Sequence, residues 1–195
     1  MYQYIKRGID IVLAVFAFVA LSPVFLFLSI WIKVDSKGPI FFKQKRVGKN
    51  KKHFNILKFR TMRVDTPKDA PTHLLENPDQ YITNAGKFLR KTSLDELPQI
   101  INILAGEMSI IGPRPALWNQ YDLIAERDKY GANDIMPGLT GWAQINGRDE
   151  LKIPVKAKLD GQYAKKQSFL FDFICFVGTI IAVVKHEGIV EGKKK

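Results

Sequence analysis

The longest apolar stretch of the chain lies near its N-terminus. Residues 11–32 form 22 consecutive positions without a charged side chain. At about 1.5 Å per residue, a straight helix of this length would cross a hydrocarbon layer of about 30 Å. Ser22-Pro23 lies at the midpoint, where proline removes one backbone donor, so the carbonyl left free needs a partner such as the Ser22 hydroxyl. The pattern predicts a helix, a break and a second helix.

The flanking charges favour a re-entrant hairpin over a spanning helix. Lys6 and Arg7 precede the apolar stretch, and basic residues also follow it: Lys33, Lys37, Lys43, Lys45 and Arg46. A spanning helix should be basic mainly on one side, whereas a hairpin that returns should be basic at both ends. We predict a re-entrant hairpin over residues 1–35 with both ends cytoplasmic, and the residues alone leave an ordinary kinked transmembrane helix open. Asp10 is expected to pair with Lys6 and Arg7.

After this segment the hydrophobic pattern takes the period of β-structure. Residues 39–42 and 53–59 are β-prone runs separated by a polar, basic stretch around residues 48–50, which predicts a β-hairpin. If the second strand continues, Lys58 and Arg60 lie on the same face and both could point at a site.

Three further segments follow from the pattern. Residues 64–86 contain three prolines and no sustained period, which predicts a long loop, and residues 86–91 predict a short basic helix. Residues 169–184 are apolar except for Asp172, but this stretch is only about 24 Å long as a helix and therefore short for a membrane span. We predict an interfacial helix over about residues 168–186, with a buried core helix as the open alternative.

Composition and charge point to a folded domain with an anionic partner. The 195 residues are 46% hydrophobic and 25% charged, which leaves room for one domain with a core and excludes the disordered classes. The formal charge is +11, and residues 1–60 hold 12 Lys and Arg against 2 Asp and Glu. Such a block can bind nucleic acid or an anionic membrane. The adjacent apolar stretch favours anionic membrane lipids, so no nucleic-acid partner is expected.

These elements predict an α+β fold. The expected architecture is a membrane-associated, mostly helical catalytic domain over residues 36–195 with a small β-hairpin, attached to the re-entrant hairpin of residues 1–35.

Two adjacent carboxylates, Asp95 and Glu96, form the main candidate site. Ser93 and Glu96 have the spacing of a capping box, and acidic side chains in a first helical turn favourably face the helix dipole, so capping alone could explain them. A helix beginning at Pro98 would instead leave both carboxylates in the turn before it. In either case the carboxylates lie near a helix N-terminus, where a phosphate can dock.

Two later segments supply candidate phosphate contacts. In Gly112-Pro113-Arg114-Pro115 the prolines stiffen the backbone around Arg114, whose guanidinium suits bidentate phosphate recognition. A rigid turn with a solvated arginine is the alternative. Residues 136–148 contain three glycines, which allow close backbone approach to a ligand. Trp142 and Arg148 of this segment could engage a base and a phosphate, and a plain turn is the open alternative.

In this order the motifs resemble the bacterial sugar transferase family, the monotopic phosphoglycosyl transferases that begin glycan assembly on polyprenol carriers. The resemblance covers nearly the whole chain and is specific because all of its motifs occur in order: Lys6-Arg7 with Asp10, Ser22-Pro23, and residues 58–62, 92–99, 108–115 and 137–148. It predicts the minimal catalytic form of the family.

The resemblance implies transfer of a phosphosugar from a UDP-sugar to a polyprenol phosphate such as undecaprenyl phosphate, with release of UMP. Members act in two steps through a covalent aspartyl intermediate with Mg²⁺. Carried over, Asp95 is the nucleophile, and Glu96 helps Asp95 to bind the metal. The candidate phosphate contacts are Arg90 and Arg114, followed by Lys58, Arg60, Gln144 and Arg148. The family's re-entrant hairpin agrees with the charge pattern and implies the cytoplasmic face of the bacterial inner membrane.

Two other functions are compatible with the residues. The first is a membrane enzyme on nucleotide sugars in which Asp95 and Glu96 bind metal without a covalent step. The second is a non-enzymatic basic membrane adaptor whose carboxylates cap a helix.

Overall fold

The computed structural model describes residues 2–66, 80–147 and 150–185. In chain order the helices are α1 (Tyr2–Ala20), α2 (Ser22–Asp35), α3 (Asn84–Thr92), α4 (Gln99–Ala105), α5 (Tyr121–Asp128), α6 (Trp142–Ile145), α7 (Ile153–Lys166) and α8 (Phe169–Lys185). The strands are β1 (Phe41–Val47), β2 (His53–Phe59), β3 (Ser109–Ile111) and β4 (Gly138–Thr140). The pair β1 and β2 is antiparallel, and the pair β3 and β4 is parallel. The predicted α+β class and the β-hairpin are confirmed, whereas most of the predicted loop over residues 64–86 lies outside the described residues.

Helices α1 and α2 meet at a sharp bend of 61°. Pro23 lacks the N–H that would bond to the carbonyl of Val19, and the Ser22 hydroxyl donates to that carbonyl at 2.8 Å instead. The predicted break and the compensating role of Ser22 are therefore both confirmed. Within the described part of the chain, no helix by itself has the length and apolar character to cross a bilayer, although the bent pair has both when taken together.

Large apolar side chains cover the outer faces of the bent pair and of α8. Phe16 is 72% exposed on α1, Leu26 is 64% exposed on α2, and Leu170 is 67% exposed on α8. On α8, Asp172 and Cys175 are buried against the rest of the fold. Because so much of its apolar surface points outward, α8 is not the buried core helix that was the alternative.

The core fixes the helices on either side of the two carboxylates. Ala14 of α1, Ile56 of β2 and Ile103 of α4 are buried in one cluster. Ile32 of α2 and Leu89 of α3 are buried in a second. Full burial of an aliphatic side chain stabilises a fold by about 1.5–3 kcal/mol. Since α3 precedes the carboxylates and α4 follows them, both ends of the connecting turn are anchored against the N-terminal helix pair.

A buried polar network joins α1 to α8. Lys6 Nζ lies 2.6 Å from Asp172 Oδ2, to which the hydroxyl of Tyr2 also donates at 2.7 Å. The hydroxyl of Tyr163 lies 2.6 Å from the other carboxylate oxygen and 3.1 Å from the carbonyl of Ile111. The network therefore extends from the first turn of α1 to the end of β3.

The predicted pairing of Asp10 with Lys6 and Arg7 is wrong. Lys6 pairs with Asp172, and Arg7 donates to backbone carbonyls at the end of α4. Asp10 accepts hydrogen bonds from Ser109 and from the backbone N–H of Ile110. The reason is that Asp10 and Lys6 are both buried by tertiary packing and bond to partners far away in the sequence. An exposed ion pair between neighbours on the helix would have contributed little to stability.

We expect Lys6→Met to lower the free energy of unfolding by about 3–5 kcal/mol, because Asp172 would remain buried without a compensating charge. Urea or thermal unfolding in one fixed detergent measures the effect. Lys6→Met combined with Asp172→Leu should recover most of the loss. Lys129→Met is the matched control, because Lys129 pairs with Glu126 while 64% exposed, and it should leave the free energy of unfolding nearly unchanged. A Lys6→Met variant as stable as the wild type would contradict the expectation.

Candidate active site

Asp95 and Glu96 lie on a single 3₁₀ turn, Leu94–Glu96, between α3 and α4. Ser93 ends α3 in the left-handed conformation with φ 57°, and its side chain caps neither helix. The capping-box interpretation, one of the two left open by the sequence, is therefore wrong. The alternative is confirmed: α4 begins at Gln99 with Pro98 before it, which leaves both carboxylates in the preceding turn. Among the described residues neither carboxylate caps a helix, so both are open to other chemistry.

Glu96 is the centre of an ion-paired cluster. Arg114 Nη2 lies 2.5 Å from Glu96 Oε1, and Arg114 Nη1 lies 3.3 Å from Oε2, so the guanidinium faces the carboxylate with two nitrogens. Lys58 Nζ donates to the same Oε1 at 2.8 Å. The prolines on both sides of Arg114 stiffen its backbone. Three elements, β2, the 3₁₀ turn and the segment after β3, thus meet at Glu96.

Asp95 is less completely paired than its neighbour. Lys58 Nζ lies 3.4 Å from Asp95 Oδ2, and no described residue donates to Oδ1. The side chain is only 13% exposed, but Oδ1 is not fully buried, so this oxygen is free of hydrogen bonds from the described protein and reachable from solvent. In the described residues, no three His, Cys, Asp or Glu side chains cluster closely enough to hold a metal ion unaided.

The surroundings push the two carboxylate pKa values in opposite directions. Burial raises the pKa of Asp95, the charge of Glu96 adds to the rise, and Lys58 opposes it. Burial also disfavours ionisation of Glu96, but Arg114 and Lys58 outweigh it and hold the pKa of Glu96 well below its usual range. Adjacent carboxylates with divergent pKa values are typical of sites that give the two groups different roles.

Arg90, in the last turn of α3, is close enough to act on Asp95. Its positive charge opposes the rise in the pKa of Asp95, as does that of Arg114. The Arg90 Nε donates to the hydroxyl of Thr61 at 3.0 Å, which orients the guanidinium. The structure therefore gathers three of the predicted phosphate-binding residues, Lys58, Arg90 and Arg114, around the two carboxylates.

The sequence of the chain is similar to sequences of known proteins. The family model described as bacterial sugar transferase matches residues 1–186 of the chain. The chain belongs to the bacterial sugar transferase family. This membership confirms the resemblance found in the sequence and the prediction that the protein is a transferase enzyme.

Individual members of the bacterial sugar transferase family align over most of the chain. An uncharacterized sugar transferase, EpsL, from Bacillus subtilis is 38% identical over 95% of this chain and 90% of its own length. The exopolysaccharide production protein ExoY from Sinorhizobium fredii is 36% identical over 94% of this chain and 87% of its own length. The UDP-glucose:undecaprenyl-phosphate glucose-1-phosphate transferase from Escherichia coli is 42% identical over 87% of this chain, but the match covers only 38% of that protein.

Two other predicted site residues of this sugar transferase, Arg60 and Gln144, make contacts with backbone carbonyls. Arg60 is buried and donates to the carbonyls of Ile32, Ser36 and Lys37 at the end of α2. It does not share the orientation of Lys58 because β2 ends at Phe59, so the alternation of side chains stops there. Gln144 lies buried in α6, with its Nε2 3.4 Å from the carbonyl of Gly112. Arg148 lies outside the described residues.

Two of the three glycines of the 136–148 segment, Gly138 and Gly141, pack against protein backbone. A Cβ on Gly138 would lie 2.1 Å from the backbone nitrogen of Gly112, and a Cβ on Gly141 would lie 2.2 Å from the carbonyl oxygen of Gly112. This contact explains why both positions need glycine. The sequence predicted that a ligand would approach these glycines closely. At these two positions the backbone that leads to Arg114 makes the close approach.

Asn102 is a positioning residue of this sugar transferase that the sequence patterns missed. It is 2% exposed on α4, and its side chain bonds to β2 through the N–H of Leu57 and the carbonyl of Asn55, both at 2.9 Å. Leu57 is adjacent to Lys58, so the same contact brings the lysine to the carboxylates. The available signal was an amide side chain flanked by two isoleucines within the helical run.

Proposed function

We propose that this protein transfers a sugar phosphate from a UDP-sugar to a polyprenol phosphate, undecaprenyl phosphate in bacteria, and releases UMP. The Escherichia coli relative is named for this reaction with UDP-glucose, and an Aeromonas hydrophila relative, 36% identical over 96% of this chain, is named for it with UDP-N-acetylgalactosamine. The observation that carries the proposal is the sheltered, incompletely paired Asp95 beside three cationic side chains.

In the first step Asp95 attacks the β-phosphorus of the UDP-sugar. A bond forms between a carboxylate oxygen and phosphorus, and the bond from that phosphorus to the oxygen bridging the two phosphates breaks. UMP leaves with the bridging oxygen and its electron pair, so the step itself transfers no proton. Asp95 fits this role better than Glu96, because no described residue donates to Asp95 Oδ1, whereas both oxygens of Glu96 are ion-paired.

In the second step an oxygen of the polyprenol phosphate attacks the same phosphorus. The bond between phosphorus and the Asp95 oxygen breaks, the carboxylate is regenerated, and the product is a polyprenol diphosphate sugar. A covalent intermediate divides one difficult transfer into two easier displacements at a single nucleophile.

Positive charge must be concentrated at the phosphates for either step to occur. Arg90, Arg114 and Lys58 supply it from the protein, and the two contacts from Arg114 to Glu96 keep the guanidinium oriented. The two carboxylates also suit Mg²⁺, which proteins usually bind through one or two carboxylates together with substrate phosphates. Asp95 and Glu96 would hold this ion, and it would neutralise charge on the donor's diphosphate.

The N-terminal helix pair would place this chemistry at the cytoplasmic face of the membrane. A re-entrant hairpin of residues 1–35 is supported by the 61° bend, by the exposed apolar side chains and by basic residues at both ends. The outward apolar face of α8 would lie in the interface beside anionic lipids. A water-soluble donor and a lipid-anchored acceptor could then meet at Asp95.

The test is UMP release by the purified full chain in detergent, with undecaprenyl phosphate, Mg²⁺ and a panel of UDP-sugars. We expect one or more UDP-sugars to be consumed, with a lipid diphosphate sugar as the second product. With donor alone, intact mass spectrometry should detect a phosphosugar adduct on the protein and one equivalent of UMP. No turnover with any UDP-sugar would overturn the proposal, and turnover without an adduct would favour metal-binding carboxylates and a direct transfer.

A further inference from the structure

Two polar side chains of α1, Arg7 and Asp10, reach two elements that flank the candidate site. They lie three residues apart, about one turn of the helix. Arg7 contacts the end of α4, and Asp10 contacts β3. Neither side chain touches Asp95, Glu96 or Arg114, and the steps proposed above use neither.

Arg7 holds the C-terminal end of α4. Its Nη1 donates to the carbonyl of Ile103 at 2.6 Å, and its Nη2 donates to the carbonyl of Leu104 at 3.2 Å. Carbonyls in the last turn of a helix have no partner within the helix, and a positive charge there is favourable for the helix dipole. At its other end α4 begins three residues after Glu96. With seven residues, α4 is a rod of only about 10 Å, so a shift at one end moves the other.

Asp10 holds β3. One of its oxygens accepts from the hydroxyl of Ser109 at 2.7 Å, the other accepts from the backbone N–H of Ile110 at 3.1 Å, and the residue is 4% exposed. β3 ends at Ile111, and Arg114 follows after Gly112 and Pro113. The stiffness of this short segment transmits the position of β3 to the guanidinium.

We infer that Arg7 and Asp10 are positioning residues through which α1 sets the separation between the Asp95 turn and Arg114. The inference rests on the proposed function, since it assigns these residues to the geometry of that site. Two groups on one helical turn fix α4 and β3 to a common reference, so that the nucleophile and the phosphate-binding arginine face the same phosphorus. Because α1 is also the first arm of the proposed membrane hairpin, correct seating of that arm becomes a condition for an aligned site.

The variants Asp10→Asn and Arg7→Gln weaken or remove these hydrogen bonds with little change in size. Steady-state UMP release in detergent should show kcat lowered by about 10- to 100-fold, the effect expected of a misplacement of about 1 Å. KM for the UDP-sugar should change by less than about threefold, because these hydrogen bonds align the site and do not bind the donor. Arg7→Lys, which can still donate to a carbonyl, should recover part of kcat.

Amide hydrogen exchange of the full-length variants gives a readout besides activity. We expect exchange to become faster in residues 94–98 and 109–115 and to stay unchanged in α5 and α7. Asp160→Asn is the matched control. Asp160 is a buried carboxylate, paired with Arg127 at 2.6 Å between α7 and α5, so its loss should lower stability while leaving kcat and exchange in the two site segments unchanged.

The inference is overturned if Asp10→Asn and Arg7→Gln leave kcat and exchange in both segments as in the wild type. It is also overturned if they speed exchange uniformly along the chain and lower kcat no more than Asp160→Asn. A wild-type protein that releases no UMP from any UDP-sugar would refute the proposed function instead, and the exchange pattern would still decide whether α1 fixes the two segments.

Discussion

Asp95→Asn is expected to abolish the phosphosugar adduct and to lower kcat for UMP release by about 10³- to 10⁶-fold, the range found for loss of a catalytic nucleophile. An amide of nearly the same size cannot form the acyl phosphate, whereas Glu96, Arg114 and Lys58 keep their mutual contacts. Initial rates of UMP release and the intact mass of donor-treated protein measure the two effects. Loss of the adduct together with loss of turnover would identify the nucleophile.

The same substitution should leave stability at or above that of the wild type. Burial raises the pKa of Asp95, which means that the fold disfavours its ionised form at neutral pH, and a neutral amide removes that unfavourable term. An inactive variant with an unchanged or higher Tm cannot be explained by misfolding. Asp134→Asn, at an exposed position, is the matched control and should change neither quantity. Equal turnover in Asp95→Asn would exclude the covalent mechanism.

The features that follow from neighbouring residues could be predicted from the sequence. Pro23 removes one N–H, and the Ser22 hydroxyl is in reach of the carbonyl that this frees, so the bend and its compensation could both be foreseen. The adjacency of Asp95 and Glu96 likewise ensures that one turn carries both carboxylates. Each of these depends on a few consecutive residues and needs no knowledge of the packing.

Features that depend on tertiary contacts could not be predicted in this way. Lys6 and Asp172 are 166 positions apart, and Asp10 and Ser109 are 99 apart, with nothing local to mark them as partners. The capping-box interpretation of Ser93 and Glu96 is wrong because Ser93 adopts a left-handed conformation at the end of α3. Arg60 was assigned to the site on strand alternation, but its backbone N–H bonds to the carbonyl of Ile40 and its side chain turns to the end of α2.

Arg114→Gln is expected to lower kcat by about 10²- to 10³-fold, as for the loss of one preorganised electrostatic contact. The variant loses a charge that we propose to bind phosphate, and it leaves Glu96 with Lys58 as its ion-pair partner among the described residues. Because Arg114 is the strongest influence holding down the pKa of Glu96, that pKa should rise. When the pH is lowered, Glu96 of the variant should become protonated at a higher pH than in the wild type. Activity that needs an ionised Glu96 should therefore be lost at that higher pH. Initial rates across a pH series measure both effects.

Arg114→Lys separates charge from geometry. Lysine restores the positive charge but not the two-nitrogen contact with Glu96, so kcat should lie between those of Arg114→Gln and the wild type. Arg63→Gln is the matched control, since Arg63 pairs with Asp65 at an exposed site where its side chain is 60% accessible, and its loss should change kcat by less than about twofold. Full activity in Arg114→Gln, or an unchanged acid limb of its pH profile, would remove Arg114 from the site and leave Lys58 and Arg90 as the cations acting on the phosphates.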